Sequence, residues 1–244
     1  MPNSVKQYTR IHLGDIAVEV THKAIKNLHL SVYPPHGAVR ISAPLAMNPD
    51  TIRVFALSKL GWIRKQQQKL REQERETPRE YLSRESHYFQ GERYLLTLVE
   101  KEATPRVRLA HSEIVLQVRP GADRAKRALL LQEWYRQQLK EAARPLMAKW
   151  ERRLGVIATR MIVQKMKTRW GSGNPRTGII RLNLELAKKP PQCLEYIIVH
   201  ELIHLVEPTH NSRFVGLMDQ HLPKWRFLKD ELNRLPVSHE DWGY

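Results

Sequence analysis

The segment between Pro190 and Pro208 constrains the fold more than any other part of this 244-residue chain. Pro190-Pro191 can open a helix, and Pro208 opposes a helix that continues past residue 207. Between the prolines, apolar residues recur at helical spacing on more than one face: Leu194, Ile197, Ile198, Leu202 and Leu205. A helix that is apolar on most of its sides has to be buried, so this segment predicts a helix inside a core.

His200, Glu201 and His204 interrupt the apolar pattern of this helix. Because residues four apart on a helix lie one above the other, the two imidazoles project to the same side and can hold one ion at about 2.0–2.1 Å. Glu201 lies one step further around the helix and can reach a water on the metal without being a ligand, which is the general-base position of the HExxH metalloproteases. Burying these side chains without a metal would carry a heavy desolvation cost, so we predict a zinc site.

A catalytic zinc site needs a third protein ligand and leaves the fourth position to water. The turn expected at Glu207-Pro208 would bring His210 back toward the metal, and we favour His210 as this ligand. Glu207 is the rival, although its place at the end of the helix gives it less freedom to swing. The single cysteine, Cys193, excludes a cysteine-only zinc finger and an internal disulfide. The predicted cofactor is Zn²⁺ held by histidine.

A glycine-punctuated loop and an alternating strand precede the zinc helix, at residues 167–174 and 178–184. A strand with a free edge beside the metal would let an extended peptide add by backbone hydrogen bonds. The alternative is that this strand only packs under the zinc helix, and both can hold. The candidate substrate-binding residues of this region are Arg169, Trp170, Ile180, Leu182 and Asn183.

The first half of the chain has the alternating apolar pattern of short β-strands. The pattern covers residues 11–41 and returns over residues 94–118. The sequence Pro34-Pro35-His36-Gly37 has the residues of a turn and predicts a hairpin. No internal repeat is visible in the sequence.

Two long helices are predicted outside the zinc helix. The first starts at Asn48-Pro49-Asp50 and runs toward Glu76, and the second runs from Ala122 to about Leu154 with a kink or break at Pro145. The fold class is therefore α+β. We expect a strand-rich N-terminal region with one long helix at residues 1–121, and a mainly helical, zincin-like metallopeptidase domain with a small sheet at residues 122–244.

The formal net charge of +16, with a pI near 10.1, predicts attraction to DNA or another polyanion. No nucleic-acid-binding signature accompanies this charge, and lysine and arginine also solubilise exposed helix faces. The N-terminus lacks the apolar run of a signal peptide, and no segment has the length of a membrane span. We therefore expect a cytoplasmic protein without a membrane partner, of unknown oligomeric state.

Four segments together resemble the YgjP-like metallopeptidases, which are related to the SprT-like and WLM families. They are residues 166–172, the strand 180–183, the helix 196–204 and the segment 210–214. The resemblance implies zinc on His200, His204 and His210, with Glu201 as the base. One departure is that the family commonly has cysteine after Trp-Gly-Ser, where this chain has Gly173.

The sequence thus predicts a zinc-dependent metallopeptidase that hydrolyses peptide bonds by a zinc-activated water, with Glu201 as the general base. Its substrate is a protein or peptide. The positive charge and the related families raise the narrower hypothesis that the substrates are proteins bound to DNA. The alternative function is a non-catalytic nucleic-acid-binding protein in which zinc is structural.

Overall fold

The computed structural model describes residues 8–33, 37–72, 79–166 and 169–235. The predicted turn at residues 34–36 and the predicted end of the first helix at Glu76 lie outside these ranges. The described residues up to 72 form one compact unit, and those from 79 to 235 form a second.

The first unit is a four-stranded sheet followed by two helices. Its elements are β1 (Tyr8–Leu13), β2 (Ile16–Lys23), β3 (His29–Tyr33), β4 (Ala38–Pro44), α1 (Pro49–Ser58) and α2 (Leu60–Glu72). The strand order is β1-β2-β4-β3, in which β2 and β4 are parallel and the outer pairs are antiparallel. The strand-rich N-terminal region and the hairpin between β3 and β4 are therefore confirmed.

The helix predicted from Asn48 is divided in two. The Asn48 side chain accepts a hydrogen bond from the Asp50 N–H at 2.8 Å, as expected of an N-cap. Lys59 leaves helical geometry with φ −102° and ψ 4°, which separates α1 from α2. Apolar residues of both helices pack on the sheet: Ile52, Ala56 and Ile63 join Val18, Val20, Val39 and Ile41 in one core.

The second unit starts with a sheet that repeats the topology of the first. Its strands are β5 (Ser86–Phe89), β6 (Glu92–Glu100), β7 (Arg106–Ala110) and β8 (Glu113–Val118). The order β5-β6-β8-β7, with β6 and β8 parallel, matches the order and pairing of β1 to β4. Both first hairpins turn through a glycine with positive φ, Gly14 and Gly91. The topology repeats although the sequence does not, because alternation and turn positions define it rather than particular side chains.

A 31-residue helix, α3 (Arg124–Leu154), follows this sheet. The Asp123 carboxylate caps it by accepting from the Lys126 N–H at 2.8 Å. Gly155, with φ 67°, ends the helix in the left-handed region. Pro145 lies inside α3 without ending it, so the break considered there from sequence does not occur.

The division between the two units lies upstream of the boundary expected near Gly121. The reason is a shared core: Leu96, Ile114 and Leu116 of the second sheet belong to the same buried cluster as residues of α3 and α4. The sheet β5 to β8 therefore belongs with the C-terminal helices rather than with the first sheet.

The rest of the second unit holds a small sheet and the predicted zinc helix. It contains β9 (Arg160–Gln164), β10 (Gly171–Asn174), β11 (Ile179–Asn183), a 3-10 helix (Leu184–Lys188), α4 (Pro191–Ile203), α5 (Ser212–His221) and α6 (Trp225–Arg234). The strand order is β10-β11-β9, and β11 runs antiparallel to β10 and parallel to β9. Helix α4 packs against α3, α5, α6, β10 and β11, so it lies at the centre of this unit. No helix among the described residues is long and apolar enough to cross a membrane.

Candidate metal centre

The end of α4 places the first two histidines. His200 lies in the last turn of α4, and His204 is the residue that caps its C-terminus. Their Nε2 atoms are 3.2 Å apart. The Nδ1 atom of His204 lies 3.0 Å from the Glu207 carbonyl oxygen and donates to it, which leaves the Nε2 lone pair free. One turn of helix thus aims two ring nitrogens at a common point.

The segment between α4 and α5 places the third histidine. The Nε2 atom of His210 lies 3.1 Å from the Nε2 atoms of both His200 and His204. Phe214, buried on α5, packs against all three imidazoles with ring centres 4.7–5.0 Å apart. The Asn211 side chain caps α5 by accepting from the Phe214 N–H at 3.0 Å, which fixes the phenyl ring beneath the cluster.

Glu207, the rival third ligand, is engaged elsewhere. Its Oε1 atom accepts from the Thr209 hydroxyl at 3.0 Å and from the Thr209 N–H at 3.4 Å. These hydrogen bonds hold the pKa of the Glu207 carboxyl below its usual range. The carboxylate therefore supports the segment that carries His210, and the cluster of possible metal ligands contains His200, His204 and His210.

The spacing of the three nitrogens fits a zinc ion. Nitrogens that each lie about 2.0–2.1 Å from one ion in tetrahedral directions are separated by roughly 3.3 Å. The observed separations of 3.1 and 3.2 Å are close to that value. Burial lowers the pKa of His200 to about 3 and also lowers the pKa of His210, and the neighbouring imidazoles act in the same direction. Both rings are neutral at pH 7, which is the protonation state a metal ligand needs.

Glu201 is the buried acid of the site, with 5% of its surface exposed. Burial raises the pKa of its carboxyl to about 7, while a hydrogen bond from the Gly173 N–H and the charge of Arg169 act in the opposite direction. The β10 backbone lies very close, because a Cβ atom at Gly171 would be 2.6 Å from Glu201 Oε1. Residues of β10 therefore orient the carboxylate, and only glycine allows this approach.

The free edge beside the histidines belongs to β10 and not to β11. Strand β11 is paired on both sides, by β10 and by β9, so it cannot accept a further strand. Ile180 and Leu182 are fully buried, and Asn183 is 5% exposed. The expectation that these three β11 residues contact substrate is corrected, because they pack in the core behind the edge strand.

Asn183 holds the loop that precedes β10. Its Nδ2 atom donates to the carbonyl oxygens of Met166 at 2.9 Å and Arg169 at 2.8 Å. Its Oδ1 atom accepts from the Glu185 N–H at 3.2 Å and the Met166 N–H at 3.4 Å. The other two candidates, Arg169 and Trp170, do line the cleft, so Asn183 acts on the site through them.

The cleft over the histidines has a volume of about 500 Å³. Its lining includes Tyr196 of α4 and, from α6, Lys229, Leu232 and Asn233. Sequence reasoning did not identify the α6 residues, which carry no motif and lie some twenty residues beyond His210. Helix α4 thus forms the floor of the cleft. Residues 169–173, Pro175 and α6 supply further lining residues.

Comparison with known proteins assigns the chain to a class of enzyme. Residues 26–235 match the family model of the YgjP-like metallopeptidase domain, which covers most of the chain. This match places the chain among the metallopeptidases, and a metal cofactor is expected for enzymes of this class. The chain belongs to the YgjP-like family. Among the curated proteins, none matches its sequence.

Two solved structures resemble part of the chain. The metallopeptidase zymogen of Pyrococcus abyssi abylysin is 22% identical with a TM-score of 0.34, covering 38% of this chain and 97% of that one. The metallopeptidase zymogen of Methanocaldococcus jannaschii jannalysin is 20% identical with a TM-score of 0.33, covering 38% of this chain and 92% of that one.

Proposed function

We propose that this protein is a zincin-like, zinc-dependent metallopeptidase in which His200, His204 and His210 hold the metal and Glu201 is the general base. The observation that carries the proposal is the convergence of three Nε2 atoms, 3.1–3.2 Å apart, in a cleft that the buried Glu201 also lines. A bound Zn²⁺ supplies a Lewis acid that polarises a carbonyl and acidifies water.

Glu201 is the proton carrier in this proposal. Its carboxylate, packed against Gly171 of β10, accepts a proton from the attacking water and delivers it to the leaving amine. A carboxyl with a pKa raised toward neutrality is suited to both transfers, because it accepts and releases a proton with little cost near pH 7. Burial is the cause of that shift, and the hydrogen bond from Gly173 limits it.

The residues around β10 position the substrate. An extended peptide can pair with the free edge of this strand, which is held next to Glu201 by the close contacts of Gly171 and Gly173 with α4. Arg169 and Trp170 line the same side of the cleft. The arginine charge is available to a carbonyl oxygen that becomes negative during the reaction.

The test is Glu201→Gln in the full chain loaded with zinc. We expect the variant to keep its zinc, measured by elemental analysis, and to lose peptide cleavage by about 10²-fold or more in a mass-spectrometric assay with a peptide library. Glutamine keeps the shape of the side chain but cannot accept the proton. A variant that retains full activity would remove Glu201 from the mechanism.

The narrower proposal that the substrates are DNA-bound proteins is supported by the net charge of +16. Binding that weakens with salt, together with faster cleavage of a DNA-bound protein than of the same protein free, is the expected result. Equal rates with and without DNA would contradict it. The alternative of a purely structural zinc site is less well supported, because such a site has no use for a buried carboxylate in an open cleft.

A further inference from the structure

More of the charged side chains that line the cleft are positive than negative. Among the residues that the structure describes, they are Arg169, Lys229 and Glu201. Arg169 acts electrostatically on Glu201, so these two charges are partly matched. Lys229 lies close enough to His200 and His210 to act on both electrostatically, and neither ring carries a negative charge. Within the described lining, one cation on the α6 side of the cleft is therefore left without an acidic counterpart.

Lys229 is one of the residues that line the cleft. It lies on α6, which packs against α4, and its Nζ atom is 5.8 Å from the centre of the Trp225 ring. Among the described residues, no carboxylate forms an ion pair with Lys229. Of the two acidic residues that follow Lys229 on α6, Glu231 lies 3.4–3.5 Å from the Gln192 amide and Asp230 acts electrostatically on Tyr196.

We propose that Lys229 gives this site a preference for peptides with an aspartate or glutamate close to the scissile bond. The inference rests on the proposed peptidase function and names its substrate class. A substrate's acidic side chain on the α6 side would supply a counter-charge to the lysine, in a cleft whose described lining holds one acidic residue, Glu201. A basic side chain at the same position meets a like charge, which disfavours it.

The experiment compares pairs of peptides that differ by Glu against Gln at one position, scanned over the four residues on each side of the bond. The zinc-loaded full chain should cleave the Glu peptide about fivefold faster in kcat/KM at one of these positions, and the preference should shrink in high salt. Lys229→Gln should abolish the preference, and Lys229→Glu should reverse it in favour of a Lys peptide. Lys224→Glu, at the exposed N-cap of the same helix and outside the cleft lining, should leave the preference unchanged.

Binding separates this inference from the function on which it rests. The affinities of the same peptide pairs for the zinc-loaded Glu201→Gln chain are measured by fluorescence anisotropy. Suppose that the wild-type protein cleaves no peptide, but that the Glu peptide binds more tightly than the Gln peptide and loses this advantage when Lys229 is replaced. The peptidase function is then wrong, and the preference of the cleft for acidic peptides stands. If peptides are cleaved without charge preference, or if Lys229→Glu keeps the wild-type preference, the inference is overturned and the peptidase function stands.

Discussion

Gly173 lies against the backbone of Glu201: a Cβ atom at residue 173 would lie 2.4 Å from the Glu201 carbonyl oxygen, and the Gly173 N–H lowers the pKa of the Glu201 carboxyl. Because residue 173 has no side chain, the edge strand β10 can contact the backbone of α4 at Glu201. The family commonly has cysteine where this chain has Gly173. In this structure a cysteine side chain at residue 173 would require the backbone of β10 or α4 to shift.

We expect Gly173→Ala to destabilise the protein by about 1–3 kcal/mol, because the added methyl group meets backbone that cannot rotate away. Peptide cleavage should fall because the methyl pushes on the Glu201 backbone, and zinc content should fall as well because His204 Cβ lies 3.3 Å from the same methyl. Urea unfolding and elemental analysis measure the two effects. The matched control is Gly216→Ala in α5, where no atom lies within 4 Å of the new methyl and a gain of about 0.5–1 kcal/mol is expected.

His210 and Glu207 can be separated as third ligands by metal content. We expect His210→Ala to lose stoichiometric zinc, because it removes one of three converging nitrogens. Glu207→Gln should retain zinc, since its carboxylate accepts from Thr209 instead. Elemental analysis after gel filtration measures both variants, and His221→Ala on α5 serves as the histidine control. The opposite pattern, with zinc lost only in Glu207→Gln, would assign the third ligand to the carboxylate.

Asn183 is expected to act through the loop that it holds. Asn183→Asp keeps the acceptor oxygen but removes the two donations to Met166 and Arg169, so we expect a loss of about 1–3 kcal/mol in unfolding free energy. The kcat/KM should fall because Arg169 and Trp170 are displaced, while zinc content should not change. A variant of normal stability in which only KM rises would indicate instead that Asn183 contacts substrate directly.

Stability should fall in mild acid because of His87, which is 4% exposed. Burial lowers the pKa of His87 to about 4, and the Arg79 charge adds to this effect, whereas Glu85 opposes it. Below about pH 6.5, His87 of the unfolded chain therefore binds a proton that the folded chain does not bind. The stability that depends on neutral His87 is complete above pH 6.5 and is lost as the pH falls toward 4.

Between pH 7 and pH 5 this difference amounts to about 2 kcal/mol. Urea unfolding at the two pH values should show that loss in wild type and a smaller one in His87→Gln. Comparing the two proteins cancels the contribution of every other group that titrates in this range. An identical pH dependence in both would show that His87 carries no such effect.

Local chemistry was sufficient to predict several elements. The N-cap at Asn48, the alternation of the strands and the helix that carries His200 and His204 each depend on neighbours within a few residues. The division of the chain near residue 75 was not predictable in this way. It depends on which sheet shares a core with α3, and that is a contact between segments distant in sequence.

By itself, the sequence determined the turn-spaced imidazole pair with its adjacent carboxylate, because one helical turn fixes their relative positions whatever surrounds them. Only the tertiary structure decided that β10 and not β11 is the free edge, that Asn183 faces a loop, and that Lys229 of α6 lines the cleft. The physical reason is that strand order and helix packing are set by burial of apolar surface across the whole unit, and no local spacing records it.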